Sequence, residues 1–183
     1  MGRFFSPIHS NFWTDPLTQK MNPHTKLLAC FLLSNHHSNG AGFYYFDPAY
    51  GASDLSLPIE TVEASLQELA DLGFIMFNPE SKALFVLKWF LHNPVGSSKN
   101  AHHFVTLYEQ NRLPQNEPEI ELEFFERLHL AAKEKEGNSN FYDFFRFLGG
   151  RLGKLDPDAP AINSRNPDEE GDDYTDVFKQ PFN

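Results

Sequence analysis

The chain has one cysteine, Cys30, in 183 residues. No disulfide can close within it, and this usage fits a reducing compartment. No apolar run approaches the ~20 residues that a membrane-spanning helix needs. The opening stretch from Met1 to Pro7 lacks the apolar region and small-residue cleavage site of a signal peptide, which predicts a cytoplasmic protein that does not engage a membrane. Basic residues are scarce, with 15 Lys and Arg against 25 Asp and Glu and a net charge of −10. Residues 1–113 hold seven basic and nine acidic side chains, whereas residues 114–183 hold eight and sixteen. The acidity therefore belongs to the C-terminal part, and neither part has the basic excess of a strong non-specific nucleic-acid binder. There is no internal repeat. There is also no phosphate-cradling glycine loop, no nucleophile elbow and no paired Cys and His, so neither an enzyme nor a cofactor is expected.

Phenylalanine is abundant. Nineteen Phe within a 40% hydrophobic composition can fill one good core, with some chain left over. Eight histidines also stand out, with His36-His37, His92 and His102-His103 the obvious groups among them. Adjacent histidines are expected to point different ways, no cysteine joins them, and no pair sits four apart on a predicted helix. No metal site is expected from them.

Along the chain, Phe12-Trp13 is expected to be buried against the first helix, and Thr14-Asp15-Pro16 reads as a turn. Asn22-Pro23 offers an N-cap followed by a proline at the first helical position. The run Thr25 to Leu33 is too apolar for a surface helix and is predicted to be the central core helix, with Cys30 a small buried hydrophobe inside it. A loop from Ser34 to Gly42 leads to a short strand, Phe43 to Phe46. A brief helix around Ala49 to Leu55 then makes a tight helix-turn-helix with the helix that opens at Pro58.

The most informative stretch runs from Ser56 to Phe90. Pro58 suits the first position of a helix that stops at Gly73, and Ile59, Val62, Leu66, Leu69 and Leu72 fall on one face of it. Two apolar strands come next, Phe74 to Phe77 and Ala83 to Phe90, separated by turn chemistry from Asn78 to Lys82. Trp89 and Phe90 would alternate across the second strand, one of them in the core and the other exposed. Helix, glycine stop and hairpin form the second half of a winged helix, in which the 58–72 helix holds the recognition position. Beyond it, helices are predicted over 97–111 and 119–136, and Leu113 to Pro118 reads as a linker. The aromatic cluster from Phe141 to Leu148, with Phe144 and Phe145, would dock on its own domain or on a partner, including a second copy of the chain. The organisation expected is a winged-helix domain over 1–113, an accessory helical segment over 114–154 and a disordered acidic tail over 155–183. The fold class is α+β, mainly α.

Phe12-Trp13, the Leu27–Leu33 helix, Asn35-His36 with Gly42-Phe43-Tyr44, the Leu57-to-Gly73 helix and Trp89 with His92-Asn93-Pro94 succeed one another in a recognisable order. In this the chain from about residue 3 to 130 resembles the N-terminal domain of phage replication initiators, the replisome-organiser winged-helix family. The resemblance implies origin binding to double-stranded DNA in a bacterial host cell, by the 58–72 helix and the wing tip, and contact with host or phage replication proteins that load the helicase. Glu60, Glu63 and Gln67 would then face base edges, and Asn78 would sit at the wing tip. The outward helix face carries Glu60, Glu63, Gln67, Glu68 and Asp71 with no Lys or Arg. Phosphate contacts must therefore come from Lys82, Lys88, Lys99 and Arg112 near the wing, or from Lys20 and Lys26. Two other function classes remain open. One is a winged helix turned to protein binding, and the other is an acidic phage protein that occupies a host nucleic-acid site as a DNA mimic.

Overall fold

Three helices open on the same two-residue signal, a capping Asp or Asn followed by proline. Asp15 caps α1 (Pro16–Lys20), Asn22 caps α2 (Pro23–Ser34) and Asp47 caps α3 (Pro48–Leu55). In each, the side-chain oxygen accepts a backbone N–H of the first turn, while proline needs no partner there and already has helical φ. The computed structural model describes residues 8–93, 104, 106, 107 and 110–133, all of which fall within one unit spanning residues 1–137. Lys99, Phe141, Phe144, Phe145 and the 155–183 tail lie outside the described residues, as does most of the helix expected over 97–111.

A 3-10 turn, Ser10–Trp13, precedes α1. Phe12 is buried, but Trp13 is 56% exposed and only meets Phe12 edge-on, so the expected burial holds for one ring of the pair. The expected turn at Asp15-Pro16 is instead the start of α1. The α2 helix is the central core element, with Leu28, Ala29, Leu32 and Leu33 buried. Cys30 lies on its flank, only half-buried, and burial pushes its thiol pKa up.

The α3 helix ends at Ser56, a non-glycine residue with φ 54°. The N–H groups of Ser56 and Leu57 fold back to Ser53 and Ala52, the usual wrap of a left-handed helix stop. An L-residue there costs about 1–2 kcal/mol, partly offset by the lower chain entropy of a non-glycine residue, so Ser56→Gly should stabilise the fold by about 0.5–1 kcal/mol. A rise in the urea midpoint at unchanged slope is the measurement. No gain would show that the Ser56 side chain compensates for its backbone.

The α4 helix (Ile59–Asp71) packs on α2 and α3 through Val62, Leu66 and Leu69. Each such burial is worth about 1.5–3 kcal/mol. Pro58 sits one residue ahead of the helix as its cap, with extended ψ, so the first turn starts late and Ile59 is 40% exposed rather than core. Gly73, at φ 69°, closes the helix.

The sheet has three antiparallel strands, β1 (Phe43–Tyr45), β2 (Ile75–Phe77) and β3 (Ala83–Val86), in the order β1-β3-β2. Successive side chains alternate faces. Tyr44 points to α2, where its hydroxyl donates to the Leu32 carbonyl at 2.7 Å, and full burial raises its pKa. Phe43 and its register partner Phe85 point the other way. There α6 (Pro118–Lys133) covers them, with the Phe124 ring 5.2 Å from Phe43, 5.4 Å from Phe85 and 6.0 Å from Phe90. All four residues of β3 are buried. This helix therefore packs on the core of the preceding residues. The Leu113 to Pro118 connection is likewise anchored, since Leu113 is buried.

The second hairpin strand stops at Val86, short of the expected Phe90. Trp89 and Phe90 lie in a one-turn helix, α5 (Trp89–His92), and both are buried, which replaces the expected strand alternation. The Trp89 indole N–H donates to the Gly40 carbonyl at 2.9 Å, and its ring lies against Gly42. The architecture is α+β, mainly helical with a small antiparallel sheet, and among the described residues no helix is long and apolar enough to cross a membrane.

Candidate nucleic-acid interface

The outward face of α4 is acidic. Glu60, Glu63, Gln67 and Asp71 are exposed, and Gln67 donates to Asp71 at 2.7 Å. Glu60 lines a shallow groove with Asn22, Pro23, His24 and Thr61. Glu68 does not belong to this face. Its carboxylate accepts the Asn22 N–H at 3.1 Å and the Thr25 hydroxyl at 2.8 Å, together with the Asn22 side-chain amide. A carboxylate beside a helix N-terminus is favourable, so Glu68 fastens α4 to α2.

The 78–82 connection is tightly organised. Asn78 accepts the Glu80 N–H on its side-chain oxygen at 2.9 Å, and its amide donates to Glu117 just ahead of α6 at 3.0 Å. Lys82 takes the left-handed position, φ 63°, that turns the chain into β3. Its ammonium pairs with Asp47, and its carbonyl accepts the Phe46 N–H at 2.8 Å. Lys88 pairs with Asp15 at 3.1 Å. Both aspartates are also helix caps, and both titrate below the usual carboxylate range. At Asp47 the leading cause is the Lys82 hydrogen bond, followed by the Ala49 N–H. At Asp15 burial pushes upward but is outweighed by Lys88 and by the Leu17 and Thr18 amides.

The residues expected to meet DNA therefore fall into two sets. Glu60, Glu63 and Gln67 do share one exposed face, whereas Asn78, Lys82 and Lys88 are each engaged within the fold. The Asp47 and Asp15 partners are not evident from sequence because each lies 35 or 73 positions from its lysine. An aspartate before proline marks a helix cap but says nothing of which distant cation will share it.

The histidines also depart from expectation. His36 and His37 do not diverge, since their ring centroids are 3.9 Å apart, and His37 stacks on Tyr50 at 4.7 Å. Burial, then His36, lowers the His37 pKa against the opposing pull of Asp54.

No protein-family model, curated protein or solved structure matches this chain.

Proposed function

We propose that this chain is a winged-helix DNA-binding protein of the replication-initiator kind, acting on duplex DNA together with replication proteins. The observation that carries this reading is the order of elements. Helix α2, strand β1, helices α3 and α4 joined by residues 56–58, and the β2–β3 hairpin follow one another along the chain, and the strands pair in the order β1-β3-β2. That order supports a winged-helix reading, in which α4 would hold the recognition position and the hairpin would be the wing. The resemblance to phage replication initiators across the same residues adds the functional class.

The wing supplies the phosphate contacts in this reading. The Lys82–Asp47 and Lys88–Asp15 pairs lie at or near the surface, where such pairs are worth about 0–1 kcal/mol, so a phosphate can compete for each lysine. Asp15→Asn with Asp47→Asn keeps both caps, because Asn caps as well as Asp, and frees both cations. The double variant should bind random duplex more tightly, with a steeper salt dependence. Lys82→Gln with Lys88→Gln should do the reverse and flatten the slope by about one to two units between about 50 and 200 mM salt. A mobility-shift series on both variants decides it. Affinity indifferent to both pairs, in proteins that melt like wild type, would remove the wing from the interface.

The acidic α4 face favours a second reading, in which this surface docks a basic protein. Glu60→Gln with Glu63→Gln would then slow association with that partner and reduce its salt dependence, leaving DNA affinity unchanged. If α4 instead enters a groove, the same change removes repulsion and raises non-specific DNA affinity.

A further inference from the structure

We infer that His36, His37 and Asp54 form a binding site for one divalent transition-metal ion of the zinc class. The site joins the loop after α2 to the last turn of α3. It is independent of the DNA-binding reading, since neither the wing nor the outward face of α4 takes part.

The donors converge from two directions. Each residue offers one ligand atom, an imidazole nitrogen or a carboxylate oxygen, and the three atoms lie within 4.8 Å of one another. Around a tetrahedral ion with bonds of about 2.0–2.2 Å, neighbouring donors sit about 3.3–3.6 Å apart. His36 and Asp54 are exposed and can rotate through the remaining distance. His37 is the fixed member. Its ring lies nearly parallel to Tyr50, at 10°, and its backbone N–H donates to the Asn35 side-chain oxygen at 2.9 Å. Asn35 is itself buried, and its amide donates to the Phe31 carbonyl at 2.9 Å and the Tyr44 hydroxyl at 3.2 Å. Tyr50 and Asp54 are four apart on α3, so one helix face supplies both the platform for His37 and the third ligand.

The chemistry of the set selects the ion. Two imidazoles and one carboxylate suit zinc and its first-row neighbours, whereas calcium and magnesium call for oxygen donors. The carboxylate supplies a negative charge to a dication, and each imidazole offers a nitrogen lone pair. The fourth position is left to water, because three protein donors do not fill a tetrahedral shell. A bound ion would cross-link the 35–42 loop to α3 and so brace the first helix of the helix-turn-helix.

The test uses the full chain freed of metal by a chelator. Calorimetric titration with Zn²⁺ should show one strong site, and Co²⁺ should give visible d–d absorption from the same site. His37→Gln and Asp54→Asn should each weaken Zn²⁺ binding by at least about tenfold, since even outer-shell losses weaken metal sites by about 10–100-fold. The double variant His102→Gln with His103→Gln should bind as wild type does. Zn²⁺ should raise the melting temperature of wild type and not of Asp54→Asn. Binding untouched by both site variants, binding lost instead in the His102 and His103 variant, or no saturable Zn²⁺ binding would each overturn the assignment. Should His37→Gln unfold the loop, Asp54→Asn, at an exposed position, still decides the question.

Discussion

Gly42→Ala should destabilise the protein by about 2–5 kcal/mol, whereas Gly73→Ala should cost only about 1 kcal/mol. The two glycines have almost the same backbone, φ 66° and 69°. The conformational cost of an L-residue is therefore shared, and the difference measures space alone. A Cβ at Gly73 meets nothing within 4 Å, but one at Gly42 would lie 2.3 Å from two atoms of the Trp89 ring. The ring has little room to retreat. It is fully buried and holds the Gly40 carbonyl through its N–H, and α5 places its backbone. Parallel denaturant melts of the two variants give the comparison. Equal losses would mean that Trp89 can move aside and that the loop before β1 is not packed against it.

Phe124→Ala should cost about 3–5 kcal/mol and lower the single unfolding transition of residues 8–93 along with that of α6. Phe124 is fully buried and meets Phe43, Phe85, Phe90 and Phe125, so truncation opens a cavity bounded by aromatic rings that cannot all collapse inward. Fluorescence from Trp89, far from α6 in sequence but within the same core, is a suitable probe. If α6 were an accessory element, the variant would lose less than about 1 kcal/mol by this probe, or would unfold in two steps.

The helices were legible because their signals are local. Asn22-Pro23 marks the start of α2, Gly73 marks the end of α4, and Val62, Leu66 and Leu69 repeat at helical spacing. The hairpin was legible for the same reason, from the turn residues between two apolar runs. What stayed hidden depends on meetings across the chain. Trp89 and Phe90 read as strand because they continue an apolar run, whereas the fold turns them into a helix that sets the Trp89 ring against Gly42. The 119–136 stretch read as a separate helix because an apolar face does not say which surface it covers. At the candidate interface, charge type was visible and charge pairing was not. Nothing local links Lys82 to Asp47 or Lys88 to Asp15, and nothing local sets His36 against His37 and His37 on the Tyr50 ring.

The hairpin tip is held on both flanks, by Asp47 through Lys82 on one side and by Glu117 through Asn78 on the other. A partner that engages such a tip has little disorder to freeze out, so the ordering cost that weakens many loop-mediated contacts is largely removed before the encounter. The same bracing limits accommodation. A surface of the wrong curvature cannot be met by bending the tip without breaking a tie to α3 or to the start of α6. Selectivity at this element would then come from rigid shape matching rather than from moulding to the partner.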